Sequence, residues 1–439
     1  MVSTVMPRGM LDRVLYSGFR AEVWRRDDTL GWDDSAWRGH VALVLGAGNV
    51  TSIAAFDVLH QMFQEGRAVL LKLHPHFDSL EPIFNAALAP LVERDLLRIV
   101  TGDGAMGEAL ARHPFVAAVH ITGSQRAHDA LVWGPGPEGE SRRKARNPRL
   151  QKPVTSELGC VTPIIVVPGK WSAREIAFQA ENVASMVANN TSFNCNAARV
   201  LVTSKAWSQR EEFLARLKAA FTAIPTRRAY YAGSAERWRA LLSGRSGVSV
   251  LGEGGEGRQS WALVEGVAAD AKDSLLADEC WCPIVAEVPL DTSDPAAFLN
   301  EAVALTEKLP GSLSCGLIVD PRAQRKHRTA VEAAIAALHY GTVAVNAWPA
   351  LGFGIGSTPW GAYPGNTLEN VGSGIGFVHN PFGLHVEKSV VRAPFVVRPK
   401  PLWFATHRKA LAAARALVDL EARPGLFKLL RVIRAAMHG

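Results

Sequence analysis

The chain has 439 residues, 48% of them apolar, and it contains five cysteines. Its length exceeds what one hydrophobic core supports, so we expect two or three domains. The cysteines lack the paired spacing of a disulfide framework, which favours a reducing, cytoplasmic location. Cys280 and Cys282 lack the spacing and the histidine partners of a zinc site, so no bound metal is predicted. No apolar stretch reaches the roughly 18 residues of a membrane-spanning helix.

The formal net charge of +7 is unevenly distributed. Residues 391–439 carry ten Lys or Arg against Asp419 and Glu421, a net charge of +8, which leaves −1 for the rest of the chain. Because the basicity belongs to this tail and not to the body, we predict that the protein does not bind nucleic acid.

The first half of the chain alternates between apolar runs and helical patterns. Apolar runs that end at turn residues predict strands, and the segments between them predict helices. This alternation is typical of a parallel sheet in a nucleotide-binding domain. The expected strands are 40–45, 68–73, 97–100 and 116–122, and the expected helices include 51–64 and 79–89.

Two glycine-containing turns follow strands of this predicted sheet. Gly46-Ala47-Gly48 lacks the third glycine of a dinucleotide fingerprint, so that motif is weak. Gly123 and Ser124 end the fourth strand and open a helix, and helix N-termini favour anions. These two residues are therefore the better candidates for binding a pyrophosphate. The basic segment 134–150 is predicted to be a solvated loop.

The second half of the chain predicts another α/β unit and a helical tail. Apolar residues recur at helical spacing over 426–437, which predicts an amphipathic basic helix. We expect this helix to dock on its own chain or on a second subunit of a homo-oligomer. Peripheral contact with an anionic membrane is the alternative that we do not favour, because stable attachment generally needs more than one signal. The expected strands are 163–167, 199–203, 313–319 and 341–345, and the expected helices are 173–189, 296–306 and 321–338.

Four side chains with reactive or hydrogen-bonding groups occur in a definite order. Asn49 follows an apolar strand, Glu157 lies in Thr-Ser-Glu-Leu-Gly, Cys195 follows Thr-Ser-Phe-Asn, and Glu279 precedes Cys-Trp-Cys-Pro. A thiolate can carry an acyl group between two half-reactions, and a fixed amide can hold the oxyanion that thiolate attack creates. A carboxylate is then needed to activate water on the thioester. A lone cysteine is more often a small buried hydrophobe, which is what we expect of the other four.

In this order, Asn49, Glu157, Cys195 and Glu279 resemble the aldehyde dehydrogenase superfamily, whose matching positions run Asn, Glu-Leu-Gly-Gly, the nucleophilic Cys and Glu-x-Phe-Gly-Pro. The resemblance covers residues 41–390 approximately. It implies that Cys195 attacks a small-molecule aldehyde, that Asn49 holds the oxyanion and that Glu157 activates water, with NAD or NADP as cofactor. The implied fold is α/β, with a Rossmann-like parallel-sheet cofactor domain and a second α/β catalytic domain.

By the same resemblance, four residues would contact the cofactor. Lys72 would bind the adenosine ribose, Gly123 and Ser124 the pyrophosphate, and Glu279 the ribose next to the nicotinamide. Pro75 occupies the position at which the family carries an acidic residue. An acid there favours NAD by repelling a 2′-phosphate, so its loss leaves NADP tolerable.

The resemblance also suggests how the chain divides. Residues 1–156 would form the dinucleotide-binding domain, 157–358 the catalytic domain with the nucleophilic cysteine, and 359–439 a closing segment with the basic helical tail. The segment ahead of Asn49 is shorter than in usual members, so either the start lies upstream or this lineage assembles differently.

Two alternative functions remain open. An acylating member of the superfamily would pass the acyl group to CoA or to a carrier thiol. Glu157 argues against this reading, because acyl transfer to a thiol needs no water-activating carboxylate. A non-catalytic member would bind the cofactor as a scaffold protein and turn over no aldehyde.

Overall fold

Two β-sheets carry the fold, and the chain passes between them more than once. The computed structural model describes residues 1–30 and 40–437. In this part of the chain, one sheet has six strands, the other has ten, and two ribbons have two strands each. The strands are β1 Val2–Met6, β2 Arg20–Leu30, β3 Val41–Leu45, β4 Ala68–Lys72, β5 Leu97–Val100, β6 Val116–Gly123, β7 Val154–Leu158, β8 Thr162–Val166, β9 Ala198–Ser204, β10 Arg227–Arg228, β11 Val248–Leu251, β12 Arg258–Gln259, β13 Trp261–Val264, β14 Ile284–Leu290, β15 Ser314–Ile318, β16 Thr342–Val345, β17 Trp360–Gly361, β18 Gly374–Ile375, β19 Phe377–Val378 and β20 Leu384–Arg392.

Helices pack against both sheets, and short 3-10 turns occur at Pro75–Leu80 and Asn189–Ser192. The predicted helix 79–89 is divided, because Pro82 and Pro90 each lie in the first turn of a new helix. The helices are α1 Met10–Leu15, α2 Thr51–Phe63, α3 Glu81–Ala87, α4 Ala89–Val92, α5 Gly104–Arg112, α6 Gln125–Val132, α7 Gly136–Lys144, α8 Ala173–Ala188, α9 Arg210–Ala223, α10 Ser234–Leu242, α11 Pro295–Thr306, α12 Pro321–Lys326, α13 Arg328–Ala337, α14 Leu351–Gly354, α15 Ala410–Ala422 and α16 Leu426–Ala436.

The smaller sheet has the strand order β18-β7-β6-β3-β4-β5, and only β18 runs antiparallel to its neighbour. The chain enters at β3, whose Ala42, Leu43 and Val44 are fully buried. It continues outward through β4 and β5 and then returns to the other side of β3 as β6 and β7. The strand order therefore reverses between β3 and β6, the place at which open α/β sheets bind ligands. The predicted Rossmann-like parallel sheet is confirmed.

The larger sheet has the order β1-β2-β20-β16-β15-β8-β9-β14-β13-β11. Its central strands are parallel, and the strands at its two ends are antiparallel. One apolar cluster contains Phe298 and Leu317, and another contains Ile176 and Phe213. The prediction of a second α/β unit is confirmed.

The sheets divide the chain differently from the predicted domain limits. Strands β1 and β2 lie in the larger sheet, because β2 pairs with β20 in a register that joins Arg20 to Arg392. Strand β7 spans the predicted boundary at residue 156, and β18 from the closing segment pairs with it. Residues 1–30 are therefore not part of the sheet that holds residues 41–158, since long-range pairing and not chain order decides sheet membership.

The basic segment 134–150 is not the loop that we predicted. Residues 136–144 form α7, in which Arg142 pairs with Glu138 at 3.0 Å one turn earlier. Pairs at this spacing stabilise a helix by about 0.2–0.5 kcal/mol. Arg143 donates to the carbonyl of Glu369 at 2.8 Å, which ties α7 to the C-terminal part of the chain.

The predicted tail helix is confirmed as α16, which packs on α15 through Val432 and Leu420. Its other side leaves Leu426 70% exposed and Phe427 83% exposed. The helix therefore docks on its own chain with one face only. Across residues 1–30 and 40–437, none of the helices combines the length and the hydropathy that a bilayer crossing requires.

Candidate active site

The carboxyl ends of the parallel strands bring most of the predicted site residues to one edge of the smaller sheet. Lys72 is the last residue of β4, Gly123 is the last of β6, and Glu157 is next to last in β7. Asn49 lies in the loop between β3 and α2. Adjacent parallel strands end at the same edge, so residues far apart in sequence converge here.

The loop that carries Cys195, between α8 and β9, has an unusual backbone. Asn190, Thr191 and Ser192 have φ angles of 52°, 55° and 68°. This left-handed region costs non-glycine residues roughly 1–2 kcal/mol each. Such conformations persist only where the surrounding contacts impose them, and they occur most often at functional sites.

A buried arginine supplies some of these contacts. Arg199, at the start of β9, is only 2% exposed. It donates hydrogen bonds to the Ser192 hydroxyl and to the carbonyl of Cys282, each at 2.8 Å. It therefore ties the Cys195 loop to the segment that follows Glu279. Sequence reasoning missed this role, because the pattern around Arg199 indicates only the beginning of a strand.

The Asn49 amide reaches the same loop from the smaller sheet. Its Nδ2 donates to the carbonyl of Phe193, two residues before Cys195, at 3.1 Å. In return, Asn190 Nδ2 donates to the Asn49 carbonyl at 3.0 Å. Within residues 1–30 and 40–437, the second N–H of the Asn49 amide makes no further hydrogen bond. Asn49 and the Cys195 loop are thus brought together, with one amide proton left for a ligand.

Glu157 is deeply buried, with 2% of its surface exposed. Within the part of the chain that the structure describes, neither carboxylate oxygen makes a hydrogen bond of good geometry. Burial penalises the charged form and raises the pKa of Glu157 to about 7; the neighbouring Cys195 thiol opposes part of this rise, and Asp57 adds to it. A carboxyl group with a pKa near neutrality can both take up and release a proton at working pH.

The Cys195 thiol lies beside the Glu157 carboxyl group, and each of the two groups shifts the pKa of the other. Burial and the nearby Glu157 and Glu279 carboxylates raise the pKa of Cys195 well above its usual value. The group is therefore a thiol and not a thiolate at neutral pH, so it needs a base before it can act as a nucleophile. The other four cysteines are buried, as predicted.

Glu279 lies near the same two groups, since its carboxylate contributes to the pKa shift of Cys195 and the Glu157 carboxylate contributes to its own. Its carboxylate lies against Gly159, where a β-carbon would collide with it. Burial raises the pKa of Glu279 to about 8, and the Arg199 guanidinium opposes this rise. The Oε1 atom is buried without a hydrogen-bond partner. Buried polar atoms are normally paired, so this oxygen is available to a ligand hydroxyl.

The end of β4 offers a carboxylate that sequence reasoning missed. Burial lowers the pKa of Lys72, and the Asp78 and Asp103 carboxylates oppose that shift from nearby. Asp78 Oδ1 is buried without a hydrogen-bond partner. Asp78 lies three residues after Pro75, so the acidic group absent at Pro75 is available one turn further along the chain.

The end of β6 leaves room for a ligand to approach the backbone. Ser124 caps α6 by accepting a hydrogen bond from the Ala127 N–H at 3.2 Å. A β-carbon added to Gly123 would meet only Ile121, at 3.9 Å. The exposed start of α6 is therefore compatible with an anionic group, as predicted for Gly123 and Ser124.

A C-terminal segment covers the other side of Glu157. Gly374 pairs with Glu157 in the antiparallel β18–β7 ladder. A β-carbon on Gly374 would collide with the Ser156 carbonyl, so only glycine allows this approach. Ser373 Oγ donates to the Gly159 carbonyl at 2.9 Å. Glu157 is buried because β6 and β18 flank its strand on both sides.

Comparison with known proteins agrees with this geometry. Residues 69–234 match the model of the aldehyde dehydrogenase family, a segment that contains Lys72, Gly123, Ser124, Glu157 and Cys195. No curated protein sequence matches the chain at a significant level.

Solved structures of aldehyde dehydrogenases share the fold. An NAD-dependent aldehyde dehydrogenase from Sinorhizobium meliloti is 20% identical, with a TM-score of 0.60 over 89% of this chain and 70% of that chain. The Staphylococcus aureus protein AldH is 15% identical, with a TM-score of 0.60 over 95% of this chain and 82% of that chain. An NADP-dependent glyceraldehyde-3-phosphate dehydrogenase from Bacillus halodurans is 18% identical, with a TM-score of 0.60 over 89% and 73%. Residues 69–234 are thus similar to the aldehyde dehydrogenase family, and the chain shares its fold with these solved enzymes.

Proposed function

We propose that this protein oxidises an aldehyde to a carboxylic acid, with NAD or NADP as the hydride acceptor. The observation that carries this proposal is the buried Glu157 carboxyl group beside the Cys195 thiol. The two groups shift each other's ionisation, and the Glu157 pKa of about 7 suits a base that works at neutral pH. The Asn49 amide, bonded to the Cys195 loop, supplies a polarised N–H at the same place.

The first step transfers the thiol proton to Glu157 as the sulfur attacks the aldehyde carbon. A C–S bond forms, and the carbonyl π electrons move to oxygen, which becomes an oxyanion. The second N–H of Asn49 and the backbone N–H of Cys195 are the donors proposed to hold it. Removing one such donor costs roughly 3–4 kcal/mol of transition-state stabilisation.

Residues at the strand ends fit a dinucleotide. The open space beside Gly123, the start of α6 and the unpaired oxygens of Asp78 and Glu279 are suited to phosphate and ribose hydroxyl groups. The fold relatives named above include one NAD-dependent and one NADP-dependent enzyme. A bound nicotinamide would accept the hydride that leaves the aldehyde carbon, and a thioester on Cys195 Sγ would remain.

The last step is hydrolysis of that thioester. Glu157, having released the thiol proton, removes a proton from water while the water oxygen attacks the thioester carbon. The C–S bond then breaks, and the Cys195 thiolate takes up the proton of the carboxylic acid, which leaves as a carboxylate. The absence of hydrogen-bond partners on Glu157 supports this role, because an unpaired carboxylate keeps both oxygens available for water.

One assay tests the proposal. NAD+ and NADP+ reduction is followed at neutral pH with short, long and aromatic aldehydes, in the presence and absence of CoA. We expect turnover with at least one aldehyde without CoA. Turnover only with CoA would favour an acylating enzyme, and cofactor binding without any turnover would favour a scaffold protein.

A homo-oligomer in the cytoplasm is part of the same proposal. The exposed side of α16, with Leu426 and Phe427, offers an apolar surface for a second subunit. Deletion of residues 423–439 should therefore lower the particle mass measured by light scattering. Unchanged mass together with loss of sedimentation with anionic liposomes would instead favour membrane contact.

A further inference from the structure

A second group of buried titratable side chains lies behind Glu157, and the mechanism above does not use it. Asp57 and His60 come from α2, and His120 comes from β6. They are 1%, 9% and 2% exposed, respectively. His379, which follows β19, lies near enough to Asp57 for each to shift the other's pKa. Charged and titratable side chains are rarely this buried unless they are paired or functional.

The inner part of this group is hydrogen-bonded. Thr122 Oγ1 donates to Asp57 Oδ2 at 3.0 Å, and His120 Nε2 lies 3.5 Å from the same oxygen. The other ring nitrogen of His120, Nδ1, is 2.9 Å from Thr155 Oγ1. His120 is therefore fixed between the Asp57 carboxylate and the Thr155 hydroxyl.

Strand register places this group beside Glu157. In the parallel β6–β7 ladder, Thr122 pairs with Glu157 and His120 pairs with Thr155. Residues two apart in a strand share a face, so these four side chains lie on the same face of the sheet. The Asp57 carboxylate raises the pKa of Glu157 and His120 lowers it, which requires both groups to be close to Glu157.

The group also contains buried polar atoms without a hydrogen-bond partner among residues 1–30 and 40–437. They are Asp57 Oδ1, His60 Nδ1, His379 Nε2 and both carboxylate oxygens of Glu157. In folded proteins, such atoms are usually satisfied by internal water. These atoms, carried by β7, by α2 and by the residue that follows β19, are therefore suited to bind internal water molecules.

The outer end of the group reaches a cavity of about 430 Å³. His60 lines this cavity together with Gln64, Glu65 and Gly374. His60 Nε2 lies 3.7 Å from Glu65 Oε1, and the Glu65 side chain is 37% exposed to solvent. Gly374 belongs to β18, the strand that pairs with Glu157. The cavity is therefore lined in part by the residue that pairs with Glu157 in the β18–β7 ladder.

We propose that His120, Asp57 and His60 form a proton-release route, which carries the proton of the hydrolytic step from Glu157 to this cavity. The role rests on the hydrolytic function proposed above. Glu157 loses an O–H bond and His120 gains an N–H bond, while Asp57 remains an anion that stabilises the imidazolium ring. The proton then passes by way of His60 to water in the cavity, and no other bond changes.

The charges around this route agree with its direction. Burial opposes ionisation of Asp57, but His120, His379 and the Thr122 hydroxyl outweigh it and lower the Asp57 pKa. Burial lowers the pKa of His60 and of His379 to about 4. Both rings are therefore neutral at working pH, so they can pass a proton without retaining it. Glu65 also lies beside His60 and is paired with Arg67, whose Nη2 is 3.3 Å from Glu65 Oε2.

The test is the variant His120→Gln, which keeps a hydrogen-bonding side chain but cannot accept a proton. Acyl-enzyme formation is measured as the first NAD(P)H per site, and its decay is measured by rapid quench and intact-protein mass. We expect an unchanged first turnover and an acyl-enzyme decay about tenfold slower. Added imidazole should restore much of the decay rate, whereas a purely structural defect would not respond. His113→Gln, at an exposed histidine, is the matched control and should behave as wild type.

Three outcomes would overturn the route: decay at the wild-type rate, an equal slowing of acylation, or a slowed decay without rescue by imidazole. If His120→Gln does not fold, His60→Gln at the cavity end replaces it, with a smaller slowing and the same rescue expected. A wild-type enzyme that forms no acyl adduct at all would refute the proposed function itself. If the wild-type enzyme hydrolyses its acyl adduct and the His120→Gln and His60→Gln variants do so at the same rate, only the proton-release route would be refuted.

Discussion

Glu157 and Asp57 are both almost fully buried beside the same strand, yet their ionisation is shifted in opposite directions. Burial raises the pKa of Glu157 to about 7, whereas the partners of Asp57 overcome burial and lower its pKa. Asp57 accepts a hydrogen bond from Thr122 and faces His120, while Glu157 has no hydrogen bond of good geometry. Burial alone thus produces a base that titrates near neutrality, and burial with partners produces a permanent anion.

The largest effect is expected from Cys195→Ala, which leaves both carboxylates in place and removes the nucleophile. Without a covalent adduct there is no alkoxide from which hydride can leave, so NAD(P)H formation should vanish. Cofactor binding, followed by fluorescence titration, and the melting temperature should persist. Residual NAD(P)H formation at the wild-type rate would show that the pair Glu157 and Cys195 is not the reactive centre.

Glu157→Gln and Asp57→Asn separate the two carboxylates by function. Glutamine keeps the size of Glu157 but cannot act as a base in either half-reaction, so the first NAD(P)H per site should form slowly and steady-state turnover should fall by about 10²–10⁴. Intact-protein mass spectrometry should then show an acyl adduct on Cys195. Asp57→Asn should lower turnover only about tenfold, because Asp57 acts through His120 and does not touch the substrate. Equal losses in the two variants would remove the distinction between base and fixed anion.

The pH dependence of the free energy of unfolding should have opposite signs for the contributions of Glu157 and Asp57. The folded pKa of Glu157, about 7, exceeds the 4.5 of an ordinary glutamate side chain. Its contribution to stability is therefore complete below pH 4.5 and is lost as pH rises through about 7, a change on the order of 3 kcal/mol. Glu157→Gln should be more stable than wild type at about pH 8 and similar to it at about pH 5, as measured by urea denaturation.

Asp57 should show the reverse dependence. Its folded pKa lies below the 3.8 of an ordinary aspartate side chain, so its contribution to stability is present above pH 3.8 and is lost as pH falls through the folded pKa. Asp57→Asn should therefore be less stable than wild type by about 1–3 kcal/mol at both pH values. A stabilised Asp57→Asn variant would contradict the assignment of Asp57 as a paired anion.

The pH dependence of turnover should shift by a smaller amount. Glu157 must be ionised to accept a proton from water, so the hydrolytic rate should rise with pH through about 7 and then level off. Asp57 raises the Glu157 pKa, so Asp57→Asn should move this midpoint to lower pH. His120 lowers the Glu157 pKa, so His120→Gln should move it upward. Identical midpoints in all three proteins would mean that Asp57 and His120 do not act on Glu157.

The smallest expected effect concerns the preference between NAD+ and NADP+. Without an acid at Pro75, NADP+ should support catalysis within about tenfold of NAD+, a difference of about 1.4 kcal/mol. Pro75→Glu should shift the preference towards NAD+. If the wild type uses NAD+ and does not use NADP+, Asp78 is the group expected to recognise the adenosine ribose. Asp78→Asn should then weaken the preference for NAD+.

The sequence predicts the local parts of this molecule well. Strands β3 to β6 lie within one residue of the predicted limits, because each is a short apolar run that ends at turn residues. The order of Asn49, Glu157 and Cys195 indicated a common centre, and the structure brings all three segments together.

The parts that could not be predicted depend on pairing across the whole chain. No local sequence pattern indicates that Arg20 pairs with Arg392, so the sequence did not predict that β1 and β2 belong to the larger sheet. Asp57 and His120 carry no motif, and their meaning arises only where α2 packs beside β6. Likewise, no sequence pattern reveals that the Glu157 carboxylate lacks hydrogen-bond partners, since this depends on which side chains the fold places around it.

The pairing of β18 with β7 has a consequence for the order of synthesis and folding. Glu157 is translated long before Gly374, and until Gly374 arrives one side of β7 remains open to water. A solvated Glu157 would have the acidity of an ordinary glutamate, and so would be a poor base for the nearby thiol. Contacts between such distant residues also form late and slowly. The growing chain therefore exposes a nearly inert cysteine, and its reactivity develops only as the last segments fold into place.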